Sequence, residues 1–360
     1  SFMVVSVLVP TALYLFLRGL KMNVILAFLL SFFFLCSELN LCFNFSPKIS
    51  LFALIFIFIG FYSASFLKKP VLILILSLPF VFFCSYIRPE YFLSFEILAV
   101  FTICWIVFKE KMKINKIEWS ILGVSAFIIL SIGFIIGLPL GDDARTTITF
   151  QQHFAWNYQQ WYHLPNANWF NYKATTTKYF GDASSISEFL KANPSWFFKH
   201  VFYNIGQYFL LFYEKIGAFF FPKQLLGFPV WLGWLVLIVG IIAITAKIGI
   251  KKYFQQVLFF IKNHSALFFV LSVMTIPSLI TSTLINAREH YLVLQLPIFF
   301  FLLSALFFPL KALNGIEKNT KPKIGFSFLI FILAFIFVPK LSKYSFSNIW
   351  EPYQKQYCLN

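Results

Sequence analysis

About ten apolar stretches of membrane-spanning length divide this chain, and the loops between them alternate between many and few lysines and arginines. The stretches lie at roughly 2–17, 22–37, 50–67, 70–86, 91–108, 118–140, 228–246, 265–284, 291–310 and 324–338. Each is near the ~20 residues that cross a hydrocarbon core, the shorter ones needing snorkelling ends. Their apolar runs are continuous instead of alternating, so the spans are helices and not the strands of a barrel. A chain that is 60% hydrophobic and only 12% charged could not clothe a soluble domain of 360 residues in polar surface. The expected fold is an all-α, polytopic transmembrane helical bundle of about ten spans with one helical extracytoplasmic loop. Spans one to six fill 1–140, the loop 141–227, spans seven to ten 228–338, and an outer tail 339–360.

Charge sets the orientation. Arg18 and Lys21, Lys68 and Lys69, Lys109 to Lys116, Lys247 to Lys262, and Lys311 to Lys323 fall in one set of loops, while the intervening short loops hold only Lys48, Arg88 and Arg288. The positive-inside rule therefore puts the first set in the cytoplasm and residues 141–223 outside. The net charge of +16 is mostly these lysines. It reads as a topology determinant in contact with lipid headgroups, and no nucleic-acid motif accompanies it. Residue 1 falls outside, in the middle of an apolar run, so the chain is expected to be a fragment lacking an upstream span and outer loop. Five cysteines, three of them in apolar stretches (Cys36, Cys84, Cys104), form no disulfide or metal-ligand pattern.

Residues 141–223 are too long for a connector and carry helix signals. Phe150, Phe154, Tyr158 and Trp161 recur on one helical face, which can lie on the membrane or the bundle. Ser185 to Glu188 has capping-box spacing, and Asn193-Pro194 reads as an N-cap with proline at the first helical position. From there Phe198, Phe202, Phe209, Ile216 and Phe219 trace an apolar stripe, with His200, Asn204 and Gln207 opposite, the pattern of a helix in the outer interface.

Four polar clusters stand at the outer face: Glu38 with Asn40, Arg88 with Glu90, Asp142-Asp143-Ala144-Arg145 with Gln151-Gln152-His153, and Arg288-Glu289-His290. Each has a plain reading as interfacial anchor, turn ion pair or helix cap, and their common side favours a shared site. Asp142 and Asp143 fit N-terminal caps as well as ligands for a divalent cation, and His153 an interfacial aromatic as well as a phosphate donor. Arg288 is the sharpest, because an arginine in a very short outer loop opposes the charge rule and points to an anion partner.

The segments Phe150-Gln151-Gln152-His153-Phe154-Ala155-Trp156-Asn157, Asn193-Pro194 with His200 and Asn204, and Arg288-Glu289-His290-Tyr291-Leu292 with Pro297 resemble bacterial integral-membrane glycosyltransferases of the GT-C superfamily, near glycosyltransferase family 39 and the dolichyl-phosphate-mannose protein mannosyltransferases. The likeness covers nearly the whole chain in layout, though its motifs are short. It implies a multi-pass protein of a bacterial inner or plasma membrane that moves a sugar from a polyprenyl-phosphate carrier to a glycan, lipid or protein acceptor on the outer face. On that resemblance Arg288, His290, Arg145 and His153 would hold the lipid phosphate, with Glu38, Arg88, Glu90 and Gln152 as further outer-face candidates. The family's acidic base sits in its first outer loop, upstream of residue 1, leaving Asp142 and Asp143 as local substitutes, as base or as ligands of a divalent cation; no other cofactor is implied. Three rival readings stand beside it: an O-antigen ligase or polysaccharide polymerase-like enzyme using the same kind of donor, a transporter or flippase, which the scarcity of ionisable residues within spans disfavours, and a purely structural membrane scaffold.

Overall fold

The computed structural model describes residues 2–41, 45–67, 69–139, 143–164, 171–220, 229–310 and 329–333. Among them every regular element is helical. In chain order these are α1 (Phe2–Gly19), α2 (Val24–Cys36), α3 (Glu38–Leu41), α4 (Phe45–Ala64), α5 (Pro70–Ile87), α6 (Glu90–Cys104, continued by the π-helical turn Trp105–Lys109) and α7 (Lys116–Ile136). They are followed by α8 (Asp143–Tyr162), α9 (Tyr172–Phe180), α10 (Ile186–Ala192), α11 (Pro194–Phe220), α12 (Val230–Ile248), α13 (Ile250–Asn263), α14 (Ser265–Leu284) and α15 (Glu289–Phe307).

Seven of these helices, α4 to α7, α12, α14 and α15, are long and apolar enough to cross a membrane. The expectation of ten is wider than what is seen. α1 and α2 are apolar but shorter. The 13 residues of α2 rise only about 20 Å against a hydrocarbon core of ~30 Å, because Ser37 turns the chain to extended backbone. Most of the expected tenth span lies outside the described residues, though 329–333 are helical. Lys48, assigned to an outer loop, instead sits inside α4 and is 1% exposed, its ammonium bonded to Ser6 Oγ and to the Asn40 carbonyl. The lysine segment 247–263 is not a loop: Gly249, at φ 83°, ends α12 and starts α13, which buries Tyr253, Val257 and Phe260 while its lysines stay exposed. That i, i+4, i+7 spacing was present in the sequence but masked by the lysines between.

The core gathers around α1, α4 and α15, where Phe16, Phe34, Phe58, Phe219 and Phe300 meet ring against ring. α7 lies at the rim, with Phe127, Leu130, Phe134 and Ile135 exposed. An apolar face of that kind suits lipid and would be a liability in water. α11 and α12 cross with their backbones in contact, and a Cβ added at Gly233 would lie 2.0 Å from the Gly217 carbonyl oxygen. Two glycines permit the approach, as small residues do at helix crossings in membranes.

Helices α8 to α10 and the first half of α11 form a layer with a core of its own. Phe150, Phe154, Phe180, Phe189 and Phe197 are all buried together. The Phe150–Phe154 stripe therefore closes this small aromatic core, with Leu284 at the end of α14 packed against it. α11 also departs from a helix lying flat. Phe198, Phe202 and Phe209 are exposed, yet further along Ile216 and Phe219 reach the main core, so the helix runs from the layer into the bundle. Its start is as read: Asn193 Oδ1 accepts from Trp196 N at 3.3 Å, ahead of Pro194 at the first position. At α10, Ser185 Oγ accepts from Glu188 N, but the Glu188 carboxylate reaches back one residue further than a capping box requires, to Ser184 N at 2.7 Å.

Candidate functional site

The layer is fastened to the bundle where α14 ends. A helix leaves its last carbonyls without intrahelical partners, and those of Thr283, Leu284 and Ile285 are met by side chains of α11. Asn204 Nδ2 contacts the Thr283 and Ile285 oxygens at 3.0 Å each, and His200 Nε2 contacts Leu284 O at 3.1 Å. From α8, Asn157 Nδ2 reaches His200 Nδ1 at 2.9 Å and Asn204 Oδ1 at 2.7 Å. Valence fixes the proton positions. A carbonyl can only accept, so His200 Nε2 carries the hydrogen and Nδ1 accepts from Asn157. The two hydrogens of Asn204 Nδ2 go to the two carbonyls, leaving its 3.1 Å approach to His200 Nε2 a contact without a shared hydrogen. Every group is then satisfied with a neutral imidazole. Burial pushes the His200 pKa down to about 4, which agrees.

Beside this clamp the polar residues converge. His153, 2% exposed, faces Asn286 Nδ2 through Nδ1 at 3.2 Å. Burial first, then the positive charge of Arg288, lowers its pKa to about 3, which favours the neutral ring. Arg288 is exposed at the head of α15, and His290, the second residue of the helix, is buried against Tyr291. Arg88, at the end of α5, pairs with Glu90 at 2.8 Å and lies 5.7 Å from the Tyr291 ring centre. Both Arg88 and Arg288 are within electrostatic reach of His290. Arg88, His153, and Arg288 with His290, from three separate stretches of chain, thus stand around one place. Arg88 Nε and Glu90 Oε2 are buried there without a hydrogen-bond partner among the described residues. Unpaired polar atoms in a dry setting are costly unless a ligand or water meets them.

A second group adjoins it. Lys215 of α11 bridges Glu289 at 2.6 Å and Glu38 at 2.9 Å. Burial acts to lower the Lys215 pKa, but the two carboxylates outweigh it and hold it above the ordinary value. Glu38 is thereby separated from Asn40, which turns inward to the carbonyls of Ser6 and Leu35. Gln152 is half-buried on α8. Asp142 lies outside the described residues, as do the side chains of Asp143 and Arg145 at the start of α8. Among the described residues no three His, Cys, Asp or Glu side chains come together as a metal site.

Sequence reading missed Lys215, Asn286 and Gln295. Lys215 sits among apolar residues with no local acidic neighbour to mark it beyond Glu214, and its partners are far away in sequence. Gln295 lies inside an apolar helix and accepts from Tyr208 Oη at 2.5 Å, its Nε2 buried without a partner among the described residues. A glutamine in an apolar run was the available signal. No protein-family model, no curated protein and no solved structure matches this chain.

Proposed function

We propose that this chain is a multi-pass membrane protein of about ten spans whose α8–α11 layer lies on the outer face, and that the site around Arg88, Arg288 and His290 binds the phosphate of a polyprenyl-phosphate-linked sugar for transfer to an outer-face acceptor. The supporting observation is the convergence of two arginines and two histidines at the edge of an apolar bundle, with Arg88 Nε buried and unpartnered among the described residues. A lipid phosphate leaving group gains negative charge as its bond to the sugar breaks. Fixed donors in a partly dry site stabilise that charge most, and a planar guanidinium can hold two of its oxygens. Arg88 would be the buried anchor and Arg288 the arm at the mouth, with His153 and His290 donating hydrogen bonds. The apolar helix faces alongside suit the carrier's chain.

One observation favours a second form of this reading. The described carboxylates at the site are engaged, Glu90 by Arg88 and Glu38 and Glu289 by Lys215. A ligase or polymerase-like transfer, which relies on arginine and histidine, fits such a set better than one needing a free acidic base among these residues.

The test is transfer or binding of a radiolabelled polyprenyl-phosphate sugar by the purified protein. Arg88→Lys and Arg288→Lys keep the charge but lose the two-point grip, so each should reduce turnover by roughly 10-fold or more, corresponding to ~1.4 kcal/mol of transition-state stabilisation. Wild-type activity in both lysine variants would remove the arginines from the site. The placement is checked separately by labelling Lys173→Cys and Lys252→Cys in intact cells. An impermeant reagent should reach 173 and not 252, and the reverse pattern would invert the topology.

A further inference from the structure

Away from the arginine site, the layer carries an aromatic enclosure that already holds a cation. Lys199 Nζ lies 4.5 Å from the Trp196 ring centre, 4.7 Å from Trp161 and 5.3 Å from Tyr162. The two indoles stack at 5.9 Å with 28° between their planes. The rings are held from behind, Phe154 meeting Trp161 edge-on at 6.0 Å and Tyr179 lying 4.6 Å from Trp196. The open side faces solvent, where Tyr162 is 49% exposed and Lys199 itself is exposed.

We propose that this enclosure is a binding site for the alkylammonium headgroup of a zwitterionic membrane phospholipid, with Lys199 as the resident cation that the headgroup displaces. Three electron-rich faces around one point attract a cation, and the attraction is greater the less strongly that cation is hydrated. A primary ammonium on a flexible, exposed side chain is a strongly hydrated occupant, so an alkylated headgroup nitrogen competes well with it. The displaced Lys199 can swing to the headgroup phosphate, and Lys178, 5.5 Å from the Tyr179 ring centre, lies on an adjoining ring. The exchange therefore conserves charge. A lipid source is favoured over a soluble amine because Phe198, Phe202 and Phe209 stand exposed along the same helix, an apolar surface for acyl chains. The proposal uses the membrane placement of α11 but not the sugar-transfer reading, and its test does not involve activity.

The test follows tryptophan emission of the purified full chain during titration with tetramethylammonium chloride, against sodium chloride at equal ionic strength. Lys199→Gln empties the enclosure and should show a saturable change at about 10-fold lower concentration than wild type. Tyr162→Ala, at an exposed ring, should abolish the change when added to Lys199→Gln. In nanodiscs, phosphatidylcholine should shift the emission of Lys199→Gln and block the response to tetramethylammonium, whereas phosphatidylglycerol should do neither. A Lys199→Gln response to tetramethylammonium no larger than to sodium overturns the site. An equal response in both kinds of nanodisc overturns the lipid assignment and leaves a soluble ammonium compound as the ligand.

Discussion

Asn204→Leu tests the clamp that fixes the α8–α10 layer. The asparagine is fully buried and, by valence, makes three hydrogen bonds: two donated to the Thr283 and Ile285 carbonyls and one accepted from Asn157. Leucine has a similar volume, so the change removes the bonds without opening a cavity. It leaves two helix-terminal carbonyls and one amide hydrogen without partners. Each stranded buried group costs about 1–3 kcal/mol, so the clamp should weaken by roughly 3–5 kcal/mol after some relaxation toward water. That loss falls on local opening of the layer and not on the bundle, whose core lies elsewhere. Amide exchange of α8, α9 and α10 should then speed up by about 100-fold or more, with α4, α5 and α15 unchanged. Asn204→Asp preserves shape but sets a carboxylate against two carbonyls, and should loosen the layer at least as much. If layer exchange in Asn204→Leu stays within about twofold of wild type, the capping argument is wrong.

Three further outcomes follow from the same contacts. His153 and His200 are pushed down to about 3 and about 4 by burial, while unfolded histidine titrates near ~6.5. Below that value the unfolded chain takes up protons that the folded one refuses, so their contribution is complete above about pH 6.5 and is lost as pH falls toward about 4. Protease sensitivity of the layer should rise between pH 7.5 and pH 5, and a flat profile would show that these histidines are not buried neutral. Gly233→Leu forces α11 and α12 apart and should abolish stable expression or lower the melting temperature sharply, whereas Gly123→Ala, which meets nothing within 4 Å, should not. Lys215→Met leaves Glu38 and Glu289 facing each other and should cost about 1–2 kcal/mol, less than a fully buried pair would, because both carboxylates reach water. Adding Glu38→Gln and Glu289→Gln should recover part of the thermal shift, and an unshifted Lys215→Met protein would show the bridge to be idle.

What the sequence determined alone was what depends on local pattern. Continuous apolar runs specified helices, because a backbone in hydrocarbon must satisfy itself, and Asn193-Pro194 marked the start of α11 through a bond three residues long. The pairing of Arg88 with Glu90, two residues apart, was equally legible. Tertiary structure alone decided where the faces went. The Phe150–Phe154 stripe could have met lipid or bundle by periodicity, and only the fold shows it closing on α9, α10 and α11. His200 and Asn204 looked like the wet side of an amphipathic helix, yet they are the dry side, because their partners are the orphan carbonyls at the end of α14, about eighty residues away. Lys215 paired with Glu38 and Glu289 is the same case. Periodicity tells which residues share a face. It does not tell which face is buried when the neighbouring element offers polar groups instead of apolar ones, since a satisfied hydrogen bond can be buried as readily as a methyl group.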